Sequence, residues 1–283
     1  MRTIAATFFT LTDFLREILI LAKLLIPELG RGKQKPEIPV IASMTTYPPR
    51  MKWAWVSIET LLRQTVRPQK LLLVLNLEEF PDQKLPLMIR SQTRRGLEIL
   101  WVEKNGGSYD KLLPVRREYP HATIVTFDDD KYFPLTLLSS LYDASRSNPG
   151  VVIGSRGWEM HPENGDLHYG AGWSRAVAGA KSTLLLCPGG NGCLYPPDSF
   201  STNFDDLELA KELCPTADDI WFWFAVQASG ASTYCLGLSP HRQVRMQNGT
   251  PALSEVNTVR NDEQFQAMKL RFGLPLTGLQ KSE

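Results

Sequence analysis

The chain has 283 residues, of which 43% are hydrophobic, and its 31 Lys and Arg residues against 30 Asp and Glu residues give a formal net charge of +1. This length and composition allow a sizeable buried core, and the balanced charge predicts no nucleic-acid partner. Its cysteines form no CxxC pair and are too few for a disulfide scaffold, which argues against a structural zinc site and predicts free thiols in a reducing cytoplasm.

Residues 1–37 form a biased segment ahead of the regular part of the chain. Charged residues interrupt its apolar positions, so no run of ~18 apolar residues can span a bilayer, and the segment does not have the pattern of a signal peptide. The predicted helix either packs on the domain or makes a peripheral contact at the inner face of the cell membrane. We therefore divide the chain into a hydrophobic or amphipathic helix with a linker (1–37, the linker being 30–37) and one domain (38–283).

From residue 38 onwards, apolar strands alternate with helices. The pattern predicts strands over 38–44, 70–76, 97–103 and 121–129, helices over 52–64, 85–93 and 109–119, and a loop at 45–50. Strands that are apolar throughout indicate a mostly parallel sheet covered on both faces. Ligands bind such sheets at the carboxyl ends of the strands.

Beyond residue 134 the pattern is less regular. It predicts helices over 135–147 and from Asp218 to Ala228, and a strand over 151–156. We interpret PGGNGCLYPP (188–197) as a loop, either a tight turn between strands or a segment whose glycines allow a ligand to approach the backbone.

Three consecutive aspartates, Asp128, Asp129 and Asp130, end the fourth predicted strand. Such dense negative charge favours a bound cation, and Mg²⁺ and Mn²⁺ prefer carboxylate oxygens while leaving positions for phosphate. The alternative is a solvated turn that caps the next helix. A P-loop nucleotide site is excluded because the chain has no G-x-x-x-x-G-K-[ST] segment.

Several segments in order resemble bacterial family-2-like glycosyltransferases with a GT-A fold. These are IASMTTYPPR, SIETLLRQTVRPQKLLLVL, GGSYDKLLPVRREYP, IVTFDDDKYFP, GGNGCLYPP and CPTADDIW, within roughly residues 38–245. The resemblance implies an α/β fold of the nucleotide-diphospho-sugar transferase type, with a Rossmann-like mostly parallel sheet and an irregular acceptor-binding second half. It also implies inverting transfer of a sugar from a nucleotide-sugar donor, which we expect to be UDP-linked, to a saccharide or glycolipid acceptor in polysaccharide or glycoconjugate biosynthesis.

The resemblance further implies which residues bind the donor and the metal. Asp128 and Asp130 match the D-x-D pair that holds Mn²⁺ or Mg²⁺ on the donor's diphosphate, and His241 is a further metal candidate whose alternative is an ordinary loop histidine. The residues matched to the donor are Thr45, Thr46, Tyr47, Arg50, Lys111, Asp128 and Asp129. For Arg50 and Lys111, ordinary solvated side chains are the alternative.

The segment CPTADDIW is where the resemblance implies the base that takes the acceptor's proton. We favour Asp218, because Thr216-x-x-Asp219 resembles a capping box that would give Asp219 a structural role. Trp221, Gly190 and Asn191 are the candidates for contact with the acceptor.

Two other classes of function stay open: a sugar nucleotidyltransferase on the same sheet, and a non-catalytic glycan-binding or membrane-associated assembly protein. Neither the sugar nor the oligomeric state follows from the sequence.

Overall fold

A computed structural model describes residues 11–26, 36–163, 166–170, 172–239, 241–244 and 253–273, with side chains from residue 15 in the first range and from residue 260 in the last. Residues 30–35 of the predicted linker, and residues 1–10 of the N-terminal segment, lie outside the described residues.

The described strands, numbered in chain order, include several of only two residues. They are β1 (Glu37–Thr45), β2 (Arg67–Asn76), β3 (Leu97–Val102), β4 (Thr123–Phe127), β5 (Lys131–Tyr132), β6 (Val152–Gly154), β7 (Trp158–Glu159), β8 (Ser174–Arg175), β9 (Lys181–Ser182), β10 (Leu185–Leu186), β11 (Asn191–Tyr195), β12 (Thr233–Cys235) and β13 (Arg242–Gln243).

The α-helices of the described residues are α1 (Leu11–Leu25), α2 (Pro48–Leu62), α3 (Leu87–Thr93), α4 (Leu113–Glu118), α5 (Leu137–Ser147), α6 (Leu207–Leu213), α7 (Asp218–Ala228) and α8 (Leu253–Phe272). Short 3-10 helices cover Gly107–Lys111, Pro197–Ser199 and Thr202–Phe204.

The main sheet has eight strands in the order β3-β2-β1-β4-β11-β6-β12-β9. β3, β2, β1 and β4 are parallel neighbours. β11 runs antiparallel to both β4 and β6, so β6 points the same way as β4, and β12 is parallel to β6. All but β11 and β9 therefore share one direction, which confirms the predicted α/β fold with a mostly parallel sheet.

Both faces of this sheet are buried, as its continuous apolar strands predict. Ile41 belongs to the core on one face, together with residues of α7 and α8. Its neighbours Val40 and Ala42 belong to the core on the other face, together with residues of α2 and α5. Successive side chains of a strand point to opposite faces, so a strand buried on both sides needs apolar residues throughout.

Three predicted boundaries need correction. The predicted loop over 45–50 ends early, because Pro48 is the first residue of α2, where the fixed φ of proline suits a helix start. The predicted helix over 109–119 is a 3-10 turn followed by α4, with Leu112 outside helical geometry between them. The predicted loop over 188–197 contains β11, a strand buried in the sheet.

Helix α1 packs on α2 through the side that carries Glu17, Leu21 and Leu24. Glu17 is 0% exposed and lies 3.3 Å from the hydroxyl of Tyr132, whereas Leu19 is 62% exposed. Arg63 on α2 donates to the carbonyls of Lys23, Leu24 and Ile26 near the end of α1. None of the described helices combines the length and the apolar run needed to cross a membrane.

Candidate active site

The predicted site residues gather at the carboxyl edge of the sheet. β1 ends at Thr45, β2 at Asn76 and β4 at Phe127, and parallel strands bring these ends to the same edge. The acidic run follows β4 directly. The two aspartates of the first turn of α7, Asp218 and Asp219, reach the same region from the second half of the chain.

Asp128 is held by two lysines. Lys111 Nζ lies 2.9 Å from its Oδ1, and Lys131 Nζ contacts its Oδ2. Burial acts to raise the pKa of Asp128, but the two ammonium groups outweigh burial and hold that pKa well below its usual range. Asp128 is therefore ionised at neutral pH.

Gly190 passes directly over the Asp128 carboxylate. The backbone N–H of Asp128 donates to the Gly190 carbonyl over 3.0 Å, and a Cβ at position 190 would lie 1.7 Å from Asp128 Oδ2. Glycine is thus required here by the close approach of backbone and carboxylate. Gly190 was predicted to contact the acceptor, and its observed contact is with Asp128.

Asp129 is buried and turns toward the loop after β1. It accepts hydrogen bonds from the hydroxyl of Thr46 and, over 3.0 Å, from Arg50. Burial raises its pKa to about 6, against the opposing effects of Arg50 and Thr46. Two predicted donor residues, Thr46 and Arg50, are therefore neighbours of the acidic run.

The two cations next to Asp130 also contact the other aspartates of the run. Arg50 lies 3.2 Å from its Oδ2, and Lys131 Nζ lies 3.4 Å from its Oδ1. Its backbone carbonyl accepts from Val244 N over 2.7 Å, next to the β5–β13 pair.

Lys111 links the acidic run to α7. Its ammonium is 2.9 Å from Asp128 Oδ1 and 3.0 Å from Asp218 Oδ2, and its side chain is 5% exposed. Burial acts to lower the pKa of Lys111, but Asp128 and Asp218 raise it well above its ordinary value. A solvated lysine, the alternative from the sequence, is excluded.

Asp219 does not cap its helix. The N-cap of α7 is Ala217, with no side-chain cap, and Thr216 bonds instead to Gln264 on α8. Asp219 accepts a hydrogen bond of 2.8 Å from Gly189 N. Burial raises its pKa to about 7, and the negative charge of Asp218 adds to this effect. The predicted capping box is therefore wrong.

The site carries more carboxylates than cations. Arg50, Lys111 and Lys131 face five carboxylates: Asp128, Asp129, Asp130, Asp218 and Asp219. Like charges at short range disfavour full ionisation, and Asp219, with a pKa of about 7, is partly protonated at neutral pH.

The prediction that Asp128 and Asp130 hold Mn²⁺ or Mg²⁺ stays a prediction, and their contacts do not fit it. The Lys131 ammonium already contacts both carboxylates, so an ion between them would have to displace a buried cation. Among the described residues, no group of three or more His, Cys, Asp or Glu side chains is arranged to hold a metal ion.

The metal role of His241 stays a prediction. Its Nε2 lies 2.7 Å from the Asn191 carbonyl. A carbonyl only accepts, so Nε2 carries the proton and the lone pair of the neutral ring lies on Nδ1. Burial lowers the pKa of His241, which keeps its ring neutral at neutral pH. The same contact uses the backbone of Asn191, a predicted acceptor residue that is buried in β11.

Trp221 was predicted to contact the acceptor, but it is buried in the core. It is 0% exposed, packs against Phe204 and Phe272, and donates from its indole N–H to the Phe204 carbonyl. Helix α7 is apolar on all sides, and such helices are buried. Trp221 is a core residue and does not face an acceptor.

Thr45 and Tyr47 flank the buried Thr46. The hydroxyl of Thr45 donates to the Val74 carbonyl of β2, which fixes the end of β1. Tyr47 is partly exposed at the start of α2, and the Arg50 guanidinium lies 5.6 Å from the centre of its ring.

Lys131 and Asn76 at this edge were not predicted, and Asp110 was predicted only as part of the matched segment GGSYDKLLPVRREYP. Lys131 follows the acidic run directly, and its charge was the available signal. Asp110 is buried, accepts from Gly106 N over 3.0 Å, and has a pKa that burial raises to about 7. Asn76, also buried, donates to Glu79 beyond the end of β2. A polar residue at the end of an apolar strand is the sequence signal for Asn76.

Comparisons with known proteins give distant structural likenesses. The chain matches no family model and no curated protein. Its fold is similar to that of S. aureus TarS 1-349 in complex with UDP (TM-score 0.48, 12% identity, 83% of this chain and 72% of that chain). It is also similar to 4-diphosphocytidyl-2C-methyl-D-erythritol synthase (TM-score 0.43, 11% identity, 81% and 99%) and to the UTP-bound UGPase from Acinetobacter baumannii (TM-score 0.41, 10% identity, 86% and 96%).

Proposed function

We propose that this protein is a glycosyltransferase that moves a sugar from a nucleoside-diphosphate donor, UDP-linked, to a hydroxyl of a saccharide or glycolipid acceptor. The observation that carries the proposal is the position of Lys111, 2.9 Å from Asp128 and 3.0 Å from Asp218. It places an ammonium group at the edge of the sheet, next to the carboxylates of α7. Sugar transfer needs both parts, because positive charge stabilises the departing diphosphate and a carboxylate accepts the acceptor's proton.

Asp219 is the base that we favour, in place of Asp218. Its partly exposed carboxylate and its pKa of about 7 suit a base that works near neutral pH. Asp218 is tied to Lys111 and acts as a positioning residue. In the proposed step, Asp219 takes the hydroxyl proton while the hydroxyl oxygen attacks the anomeric carbon. The bond from that carbon to the diphosphate oxygen breaks, and its electron pair leaves with the nucleoside diphosphate, which inverts the anomeric centre.

The donor's nucleoside is assigned to the loop after β1. Tyr47 offers a partly exposed ring for stacking on a base.

A sugar nucleotidyltransferase fits these residues less well. Transfer of a nucleotidyl group calls for several basic side chains on the triphosphate, whereas TTYPPR offers only Arg50, which is already paired with Asp129 and Asp130. A non-catalytic glycan-binding protein gains nothing from a carboxylate such as Asp219 whose pKa is near 7.

We also propose peripheral contact of α1 with the inner face of the cell membrane. Leu15, Ile18, Leu19 and Leu25 form one exposed apolar stripe on α1. The exposed cations Arg16 and Lys23 lie beside this stripe and suit anionic headgroups. Leu21 and Leu24 pack on the domain beside Glu17, whereas the leucines of the stripe face outward, where a lipid surface would bury them.

The test of the proposed function is release of UDP from a panel of UDP-sugars, with and without saccharide acceptors. The proposal expects UDP release from one donor, stimulated by an acceptor, and a loss of roughly 100-fold or more in Asp219→Asn. Release of pyrophosphate from UTP and a sugar phosphate would instead indicate a nucleotidyltransferase. Binding of a glycan without binding of any nucleotide would indicate a non-catalytic protein.

A further inference from the structure

Lys131 lies between the two carboxylates of the D-x-D pair. Its ammonium contacts Asp128 Oδ2 and lies 3.4 Å from Asp130 Oδ1, and its side chain is 11% exposed. Both the N–H and the carbonyl of its backbone bond to the Ser57 hydroxyl, at 2.9 and 2.8 Å. These two bonds hold its backbone against α2. The side chain therefore starts from a fixed position next to the acidic run.

We propose that Lys131 takes the place of a divalent cation in this site, and that the protein binds a nucleoside diphosphate through Lys131 and Lys111 without a metal ion. This inference rests on the proposed function for the identity of its ligand. The acidic run then serves to hold two ammonium groups in position.

The hydrogen-bonding capacity of the lysines supports this role. An ammonium has three N–H donors. Among the described residues, Lys131 contacts Asp128 and Asp130, and Lys111 contacts Asp128 and Asp218. Of these contacts, the two with Asp128 are hydrogen bonds, whereas Asp130 Oδ1 and Asp218 Oδ2 are reached as ion pairs without one. Each lysine thus keeps at least one N–H for another acceptor, and the two lysines share the carboxylate of Asp128. Two such donors side by side suit the oxygens of a diphosphate.

Electrostatic repulsion also disfavours a metal ion between Asp128 and Asp130. A divalent cation between Asp128 and Asp130 would meet the buried charge of Lys131 directly, and Lys111 is on the other oxygen of Asp128. Moving a buried ammonium away from its carboxylates leaves it uncompensated, which is strongly unfavourable. The aspartates are therefore better explained as counterions of lysines than as metal ligands.

The experiment measures UDP and Mn²⁺ separately on the full chain. UDP binding is measured by calorimetry in EDTA and in MnCl₂, and Mn²⁺ binding is measured by the loss of the free-ion signal in electron paramagnetic resonance. We expect wild-type UDP affinity to differ by less than about threefold between the two solutions, with no Mn²⁺ bound in the absence of nucleotide. UDP binding that disappears in EDTA, or a stoichiometric Mn²⁺ site in the wild type, overturns the inference.

Lys131→Met gives the matched variant, because methionine keeps the apolar stem and removes the charge. We expect it to bind UDP at least tenfold more weakly in EDTA and to acquire a Mn²⁺ site between the freed aspartates. Lys84→Met, at an exposed surface ion pair, is the control and should change neither. Circular dichroism shows whether Lys131→Met folds. If the variant does not fold, the wild-type measurements alone decide whether UDP binds without a metal ion.

Failure of the proposed function has a different signature. If neither UDP nor CDP, GDP or ADP binds in any solution, the proposed function and the phosphate contact are both wrong. The Mn²⁺ signals of the wild type and Lys131→Met still decide whether Lys131 occupies the cation's place.

Discussion

Lys111 Nζ and Asp218 Oδ2 lie 3.0 Å apart, with 5% and 10% of their side chains exposed. They come from distant parts of the chain, and this buried ion pair fastens α7 to the loop that follows β3. Removing one partner of a buried pair leaves the other charge without compensation.

We therefore expect Lys111→Met to lower the free energy of unfolding by about 3 to 5 kcal/mol, because it exposes Asp128 and Asp218 to each other. Urea denaturation at neutral pH measures this change. Lys104→Met is the matched control, since Lys104 forms a single ion pair with Glu208 at the surface, and it should leave the denaturation midpoint nearly unchanged. An equal shift in both variants would contradict the stabilising role of the buried pair.

Asp219 governs the expected pH dependence of transfer. Because the base is the ionised carboxylate, kcat/KM should rise with pH and level off above a midpoint of about 7. Asp219→Asn should lose this rise together with roughly 100- to 10,000-fold of the rate. Asp218→Asn, the neighbouring control, should be slower but keep a rise with pH. Persistence of the midpoint near 7 in Asp219→Asn would assign the base to another group.

Asp110 makes the stability of the folded protein fall between about pH 4 and pH 7. Burial raises its pKa to about 7, whereas the unfolded value is about 4. Below about pH 4 both states carry the proton, so the stability contribution is fully present there. Between about pH 4 and 7 only the folded state keeps the proton, so stability falls as pH rises through the folded pKa.

Asp110→Asn cannot ionise and should still accept the bond from Gly106 N, so its stability should not fall over this range. We expect the variant to gain on the order of 2 to 4 kcal/mol relative to the wild type between pH 5 and pH 8. Chemical denaturation at these two pH values tests this, with the exposed residue in Asp198→Asn as the control. Identical pH profiles of Asp110→Asn and the wild type would show that Asp110 is ionised in the folded protein.

Gly190→Ala should disturb Asp128 specifically. The added Cβ would lie 1.7 Å from Asp128 Oδ2, so the carboxylate must move away from its lysines. We expect a loss of about 1 to 3 kcal/mol in the free energy of unfolding and weaker binding of UDP. Gly189→Ala meets Thr126 Oγ1 at 3.1 Å, a milder contact, and should have a smaller effect on both measurements. A larger effect at position 189 would contradict this assignment.

The exposed face of α1 predicts binding to anionic vesicles. Leu15→Ser with Leu19→Ser should weaken cosedimentation with phosphatidylcholine–phosphatidylserine vesicles by roughly tenfold or more for each leucine. Leu270→Ser is the control, because Leu270 is an exposed leucine on α8, away from α1. If all three proteins cosediment alike, or if none binds, α1 is not a membrane contact. Dimers that dissociate in the double variant would identify the partner of α1 as a second copy of the chain.

The parallel strands could be predicted because each strand depends mainly on its own apolar residues. β1 and β2 contain continuous apolar runs and are buried, whereas β3, at the edge of the sheet, is apolar at five of its six residues. The acidic run directly after a strand also predicted the edge at which the site lies. Each apolar run therefore predicted a strand without information about the rest of the chain.

The second half of the site depends on long-range packing that local patterns do not show. β11 contains glycine and asparagine and was predicted as a loop, yet it is a strand because β4 and β6 flank it on both sides. Gly192 has φ +93, a conformation that suits glycine at this irregular register. Trp221 has the composition of a sugar-stacking residue, and only the packing of α7 against Phe204 shows that it is core.

The sequence also did not show which groups neutralise the three aspartates. Three adjacent carboxylates indicate a cation, and the pattern does not distinguish a metal ion from an ammonium. Lys131 is adjacent in sequence to Asp130, but its contact with Asp128 depends on the turn between β4 and β5. Lys111 and Arg50 reach the run from other loops.

The insertion of β11 beside β4 has a consequence for how the chain becomes a folded protein. β4 is apolar and complete at Phe127, but its partner on one side is not synthesised until Asn191 to Tyr195. Until then β4 is an open edge, with unpaired N–H and C=O groups that can join another chain. A fragment that ends before Asn191 should therefore aggregate, although it contains every parallel strand from β1 to β4.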